Sequence, residues 1–561
     1  MAKTSVNVLI GGEAGQGLVT IGNVLARSLV RAGYEIVVSQ DYMSRVRGGH
    51  NTFVIRAAVE PIQAPREGVD LLVALDQETL QLHQDELKRD AIVVADKGLT
   101  CGDAACFSVP YKDLSEGRYI NTVALGVAAC LLGLDQAVVG HTLEKQLGKK
   151  SAEVAQNNAD ALDKAYGFCS DNAPQFDPLD APRSQDERIM LGGNEAIGLG
   201  ALAAGLKFLS FYPMTPATSV ALTVIGAASK MGVVAEQAED EIAAINMALG
   251  ASYAGAPAMV CTSGGGYALM TEGVSLAGIT ETPVVIVIAQ RPGPATGLPT
   301  RTEQGDLDFA LFGGHGEFPR AIFTPGDLNQ CFSLTVKAFH TAEQFQTPVF
   351  VLTDQYLADS YRGITPFDLD GVEPVKAGDE AASQQGQDYE RYALSEGGMS
   401  PRAIPGAGPS LVLSDSDEHD AKGHITESAE VRIRQQEKRL AKLQGLSEEV
   451  IPPQFDGPEE PELLLVCWGS SKGAVVEAAE ILRGKGINTA YCHFSQVWPM
   501  RPSQFLPRFE DALKVVTVEM NATGQLARLI RRETGFKMDQ LINRYDGRPF
   551  TSEYIINKLA G

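Results

Sequence analysis

The 561-residue chain has little of what several common protein classes need. It has no apolar run of 18 residues and no charged-then-apolar leader pattern, so neither a membrane span nor secretion is expected. Basic residues are scarce: 47 Lys and Arg stand against 70 Asp and Glu, a net charge of −23. Such a surface repels phosphate backbones, which argues against nucleic acid as a partner. Eight cysteines include no C-x-x-C pair, so no metal site and no iron–sulfur cluster held by this chain alone is expected. Scattered single thiols fit a reducing, cytoplasmic setting.

What the chain does have is typical of large globular proteins: 44% hydrophobic and 21% charged residues, with 57 glycines that permit close backbone approach to ligands. Apolar runs alternate with helix-period segments, which predicts an α/β fold of three doubly wound or similar units, with a long irregular connector before the last. The reading places the first unit at residues 1–175 and the second at 188–365. The connector takes 366–460 and the last unit 461–561. Strands are expected at 5–10, 35–39, 52–56, 70–75 and 91–95 in the first unit. In the second, the very apolar runs 258–261 and 284–289 read as strands buried on both faces. The connector, poor in aliphatics and carrying a charged helix over 430–443, reads as an excursion that wraps a neighbour or is partly disordered.

Several strand-to-loop transitions could carry chemistry. Gly11, Gly12, Gly15, Gln16 and Gly17 follow the first strand and precede a helix, a setting that suits an anion at a helix N-terminus and equally a tight turn without a ligand. Arg45 and Arg47 follow in a basic loop. In the second unit, Tyr212-Pro213-Met214-Thr215-Pro216 fixes a threonine hydroxyl between two prolines. Glu236, Glu239, Asp240 and Glu241 crowd the start of a helix whose next residues are almost all small or apolar. Most of these acids suit the helix dipole. Glu241 abuts the apolar run, so it is the one expected to face inward and to need a cationic or N–H partner. Thr262, Ser263, Gly264 and Gly265 follow another buried strand, and Arg291 follows the next, where it can clamp a carboxylate. Thr215, Glu241, Ser263 and Arg291 are expected to converge on one sheet edge.

Taken together, Gly11–Gly22 with Ser44–Thr52, Tyr212–Thr218, Gln237–Ala256, Gln290–Leu307, Ser400–Gly406 with Ser416–Gly423, and Val518–Arg531 resemble the 2-oxoacid:ferredoxin oxidoreductases. The likeness is to the large subunit with a gamma part fused ahead of an alpha part, of the 2-oxoglutarate (KorA) type. The resemblance implies thiamine-diphosphate-dependent conversion of a 2-oxoacid and coenzyme A to an acyl-CoA. It assigns Glu241 to N1′ of the aminopyrimidine, where a carboxylate favours the tautomer that removes the thiazolium C2 proton, and the thiazolium then serves as electron sink. It gives Thr215 and Arg291 to the substrate, with Thr300, Arg301 and Tyr212 as neighbours. It lines the cofactor with Pro213, Thr262, Ser263, Gly264 and Gly265. Gly12, Gly15, Gln16, Gly17 and Arg47 fall near a coenzyme A or cofactor entrance. No Gly-Asp-Gly…Asn pattern for a magnesium-bound diphosphate is present. The resemblance therefore implies a beta subunit that supplies Mg2+ and a [4Fe–4S] cluster, an (alpha–beta)2 heterotetramer, and ferredoxin docking on that partner. Pyruvate or a branched-chain 2-oxoacid, or a non-catalytic nucleotide-binding scaffold, are the competing readings.

Overall fold

The computed structural model describes residues 3–43, 48–115, 119–147, 152–182 and 187–560. The protein is mixed α/β with three sheets, divided between two compact units. The first unit comprises residues 1–192, 359–366 and 551–557; the second holds the remainder. The sequence boundaries at 175, 188 and 365 therefore differ from the compact units, because short pieces from far along the chain complete the first one.

The first unit is built on an eight-stranded sheet in the order Ala105–Val109, Leu87–Asp96, Val69–Ala74, Ser5–Glu13, His50–Ala58, Glu35–Asp41, Arg362–Ile364, Ile189–Leu191. The first four strands are parallel and the rest pair antiparallel. The switch has a simple cause. Only residues 42–49 join Glu35–Asp41 to His50–Ala58, too few for the helix that a parallel crossover needs. The helix after the glycine loop, Leu18–Arg31, buries Ile21, Val24, Leu25 and Leu29 against this sheet. Ala105–Val109 has no counterpart in the sequence reading. Nor does the bond between Cys101 and Cys106: the turn after Leu87–Asp96 brings Cys101 back beside the edge strand, Cα atoms 6.0 Å apart, whereas separate reduced thiols were expected. The other six cysteines form no disulfide.

The second unit holds a seven-stranded sheet ordered Gln496–Trp498, Ala321–Phe323, Pro348–Asp354, Val284–Gln290, Ala258–Thr262, Phe208–Phe211, Val234–Gln237. All strands are parallel except the antiparallel edge Gln496–Trp498. A five-stranded sheet follows, centred on Leu463–Trp468 between Thr489–Phe494 and Val515–Glu519. The two sheets share one apolar core that runs from Ile286 and Phe350 to Trp468 and Phe505, so the chain from Leu463 to Phe550 packs as part of this unit.

Residues 370–460 are well packed. Tyr389, Ala403 and Val412 form a buried cluster, and the helix Ala429–Glu448 lies on the second unit with Lys438, Arg439 and Lys442 buried. The connector thus packs on its own chain, in contrast to the alternative expectation of partial disorder. Its charged residues face a buried acid: Glu281, fully buried at backbone φ 51°, meets Lys438 at 2.6 Å and Lys442 at 2.5 Å. Arg391 donates to the Glu281 carbonyl at 2.7 Å and to Gln346 Oε1 at 2.9 Å. Among the described residues, no helix is long and apolar enough to cross a membrane.

Candidate active site

The second unit's seven-stranded sheet sets the site. Val284–Gln290, Ala258–Thr262, Phe208–Phe211 and Val234–Gln237 are successive parallel neighbours, so their carboxyl ends share one edge. Ligands of open α/β sheets bind at that edge. The residues that follow these strands are Arg291, Ser263, Tyr212 and, after a short turn, Asp240 and Glu241.

Local structure fixes each of them. Phe208–Phe211 delivers the Tyr212–Pro216 loop, which helix Gly193–Ala203 steadies through Asn194 Nδ2, donating to the Pro216 carbonyl and to Ser219 Oγ, both at 2.8 Å. Tyr212 and Pro213 are exposed and Thr215 is half-buried. Arg291 Nη1 donates to the Thr215 carbonyl at 2.7 Å, which joins two of the expected substrate groups directly. Burial lowers the Arg291 pKa, opposed by the charge of Asp306.

The acids at the head of the helix Glu241–Tyr253 separate by role. Glu236 and Glu239 are exposed. Asp240 caps the helix, accepting from the Ala243 amide at 2.7 Å. Glu241 is 3% exposed, and its Oε1 has no hydrogen-bond partner among the described residues. Burial raises the Glu241 pKa; a hydrogen bond at its own backbone lowers it and the charge of Asp240 raises it further. A buried carboxylate oxygen without a donor is costly, and a ring N–H or cation facing it removes the penalty. The donor set at this point therefore fits an aminopyrimidine nitrogen.

Thr262 and Ser263 are fully buried at the end of Ala258–Thr262, and Ser263 Oγ also has no partner among the described residues. The helix Gly264–Ile279 begins there. Its glycines face different neighbours. A Cβ on Gly264 would lie 2.3 Å from Asp306 Oδ2, and one on Gly266 would lie 2.5 Å from Glu241 Oε1. One on Gly265 would meet nothing closer than the Ala295 carbonyl at 3.9 Å.

Thr300 is buried. Arg301 packs its stem on Gly547, and burial together with the charge of Arg548 lowers its pKa. The loop also brings two acids that sequence reasoning missed. Burial pushes the Glu303 carboxyl up to about 7, with Asp306 adding repulsion; burial pushes Asp306 up to about 6, opposed by Arg291. Asp306 is held by its backbone N–H, which donates to Gln290 Oε1 at 2.9 Å. Nothing in the linear sequence separates these acids from solvated ones; the polar run Thr302–Asp308 reads as surface.

The sign of the resulting pH dependence follows. An unfolded glutamate titrates near ~4.3. Between there and about 7 the folded chain holds a proton that the unfolded chain has lost, so stability falls as pH rises. Glu303→Gln is expected to flatten that slope and to raise stability at alkaline pH by about 1–2 kcal/mol, after allowance for the partial exposure of the group. Denaturant titrations at acid and alkaline pH check this.

The glycine loop of the first unit is a separate place. Gly11 and Gly12 belong to the strand Ser5–Glu13, opposite Thr52 and Asn51, so the loop proper is shorter than the sequence suggests. Gln16 Oε1 accepts from the Glu13 amide at 3.0 Å. Gly15 and Gly17 take positive φ, 99° and 78°, and Gly17 caps Leu18–Arg31. His50 and His83 meet beside Gly11 through their Nε2 atoms, 2.8 Å apart. Arg45 and Arg47 lie outside the described residues. Among the described residues, no three His, Cys, Asp or Glu side chains are grouped to hold a metal ion.

Residues 199–438 match the family model described as pyruvate flavodoxin/ferredoxin oxidoreductase, thiamine diphosphate-binding, and residues 7–168 match that for pyruvate ferredoxin/flavodoxin oxidoreductase. The chain is 31% identical to the 2-oxoacid:ferredoxin oxidoreductase 2 subunit alpha of Aeropyrum pernix, over 98% of this chain and 96% of that one. It is 28% identical to the 2-oxoglutarate oxidoreductase subunit KorA of Mycobacterium tuberculosis, over 94% and 87%. A solved 2-oxoglutarate:ferredoxin oxidoreductase from Magnetococcus marinus, with 2-oxoglutarate, coenzyme A and succinyl-CoA bound, superposes with a TM-score of 0.92 at 32% identity, covering 100% and 99% of the two chains. With such matches along nearly its whole length, the chain belongs to the 2-oxoacid:ferredoxin oxidoreductase family, as a large (alpha) subunit.

Proposed function

We propose that this chain is the fused gamma–alpha subunit of a 2-oxoglutarate:ferredoxin oxidoreductase, which forms succinyl-CoA from 2-oxoglutarate and coenzyme A with reduction of ferredoxin, reversibly, in the cytoplasm. The observation that carries the reading is the buried Glu241 carboxylate, with one oxygen unpartnered, on the same sheet edge as the Arg291–Thr215 pair. The two family matches in tandem along one chain support the fusion, and the likeness to a 2-oxoglutarate enzyme supports the substrate.

In this reading Glu241 holds the aminopyrimidine N1′ by a charge-assisted hydrogen bond, and the partner proton in turn keeps the carboxylate ionised. Arg291 takes the substrate's carboxylate while its hold on the Thr215 carbonyl fixes the loop that presents the threonine hydroxyl. Arg301, with Arg548 beside it, is the cation this chain offers to a distal carboxylate. Bound thiamine diphosphate supplies the carbanion-stabilising thiazolium. Its diphosphate and Mg2+, together with a [4Fe–4S] cluster, are assigned to a beta subunit in an (alpha–beta)2 assembly, which is also where ferredoxin docks.

The test is anaerobic ferredoxin reduction by the chain co-expressed with its beta partner, supplied with coenzyme A and, separately, 2-oxoglutarate, pyruvate and 2-oxoisovalerate. Turnover with 2-oxoglutarate at least about tenfold above the others is expected, since a substrate lacking the second carboxylate forgoes the charge-assisted contact that a site for a dicarboxylate supplies. Preference for pyruvate or 2-oxoisovalerate overturns the substrate, and silence with all three, from an assembled complex loaded with thiamine diphosphate, overturns the enzyme reading.

A further inference from the structure

The helix Gly264–Ile279 opens with three glycines, yet Gly266 is not there for its backbone. It lies within the helix and is not among the glycines with positive φ. At such a position alanine is the better helix former by about 1 kcal/mol. What a side chain at Gly266 lacks is space. A Cβ there would lie 2.1 Å from Thr262 Oγ1, 2.5 Å from Glu241 Oε1 and 2.8 Å from Glu241 Cγ. All three are side-chain atoms. The backbone can therefore stay where it is, and the side chains that line the site must yield. Movement of Glu241 alone does not relieve the 2.1 Å contact with Thr262 Oγ1, so the fully buried, Cβ-branched Thr262 is strained or turned, and the longer, unbranched Glu241 shifts its carboxylate. Elsewhere the same clash differs in kind: a Cβ on Gly193 would meet the Leu357 carbonyl at 2.3 Å, and one on Gly200 the Phe332 carbonyl at 2.5 Å, where backbone itself must move.

We propose that Gly266 is a positioning residue whose missing side chain forms the seat of the Glu241 carboxylate, holding that oxygen at the height required to meet the cofactor's aminopyrimidine. The proposal rests on the role given above to Glu241. Its physical content is that Oε1, which has no hydrogen-bond partner among the described residues, is aimed by a contact surface on the neighbouring helix. An alanine methyl displaces the carboxylate by an ångström or so, and a misplacement of about 1 Å in a catalytic constellation lowers the rate about 100-fold.

The experiment compares Gly266→Ala, Glu241→Gln and Gly250→Ala in the assembled enzyme. Gly250 lies in the helix Glu241–Tyr253 with nothing within 4 Å of its Cβ position, so it controls for the helix-propensity change alone. Four quantities are read: kcat, KM, the rate of deuterium exchange at C2 of bound thiamine diphosphate by NMR, and the thermal midpoint. Gly266→Ala is expected to lower kcat about 100-fold with KM for the 2-oxoacid within a few-fold and to slow C2 exchange in parallel, with strain at Thr262 opposing the helix-propensity gain in the thermal midpoint. Gly250→Ala is expected to match the parent in kcat, KM and exchange, with a thermal midpoint equal or higher. Normal exchange and kcat in Gly266→Ala, with exchange lost in Glu241→Gln, overturns the seat while leaving the role of Glu241 intact. Normal exchange in Glu241→Gln overturns the underlying reading, and the seat falls with it.

Discussion

Replacement of Glu241 by glutamine is expected to lower turnover by about 10²- to 10⁴-fold, the range for a group that manages a proton in the transition state, and to leave the assembly intact. The fold has no claim on the charge. Glu241 Oε1 has no internal donor among the described residues, and burial already raises its pKa, so the folded chain gains nothing from ionising it. Glutamine has the same length and fits the seat at Gly266. It trades an anionic acceptor for an amide that cannot favour a protonated ring nitrogen. The thermal midpoint of Glu241→Gln is therefore expected to equal or exceed that of the parent. Steady-state kinetics on the purified complex, with size-exclusion chromatography as the check on assembly, decide it; near-normal turnover removes Glu241 from the site.

Glu281→Gln is expected to behave in the opposite way, with a large loss of stability. Glu281 is fully buried and bridges Lys438 and Lys442. Burial by itself raises its pKa, but Lys442, Lys438 and Arg391 overcome that and hold the carboxyl at about 2. Burial also depresses Lys442 to about 8, opposed by Glu281. Removal of the one anion leaves two desolvated ammonium groups facing each other, and breaking a buried pair in this way costs about 3–5 kcal/mol. Because the folded pKa of Glu281 is depressed, its contribution is present above the unfolded value near ~4.3 and is lost as pH falls toward about 2. The triple substitution Glu281→Leu, Lys438→Met, Lys442→Met is expected to recover most of the loss, since apolar groups of similar volume replace buried ion pairs at little penalty. Chemical denaturation of the parent, the single and the triple variant separates the two effects. If the single substitution is silent, the helix Ala429–Glu448 is held by packing alone.

The same cluster shows where the sequence stops being legible. The helix Ala429–Glu448 was visible from its composition, but a run with Glu437, Lys438, Arg439 and Lys442 reads as a solvated face, because linear charge carries no record of what packs on it. Glu281 lies 157 residues before Lys438, and only the fold brings them together. The strands after which site residues stand were legible for a physical reason: Ala258–Thr262 and Val284–Gln290 are buried on both faces, so they appear as unbroken apolar runs. Strands too short for a pattern escaped, such as Arg362–Ile364, Ile189–Leu191 and Gln496–Trp498, each of three residues at or near a sheet margin. At the site, Glu241 stood out because its helix continues with small and apolar residues. Asp306 and Glu303 did not, since their loop is held from elsewhere in the chain: Gln290 accepts from the Asp306 amide, and Gln525 bonds the backbone of Gly305 and Asp308. Gly266 is one glycine in a run of three in the sequence, and its particular neighbour is a fact of three-dimensional packing.

The broken course of the first unit has a consequence during synthesis. The strand Glu35–Asp41 leaves the ribosome early, yet the strand that covers its outer side, through Arg362 against Val37, follows roughly 320 residues later. At about 5–20 residues per second that is a delay of about 15–65 s. Ile189–Leu191 emerges sooner but pairs only through Arg362–Ile364, so it gives no relief. For that interval the nascent chain carries an open sheet margin, a template for pairing with other chains on the same polysome. A chaperone that shields extended segments would find a target there: this unit begins to emerge before the second and is completed only by pieces made after most of it.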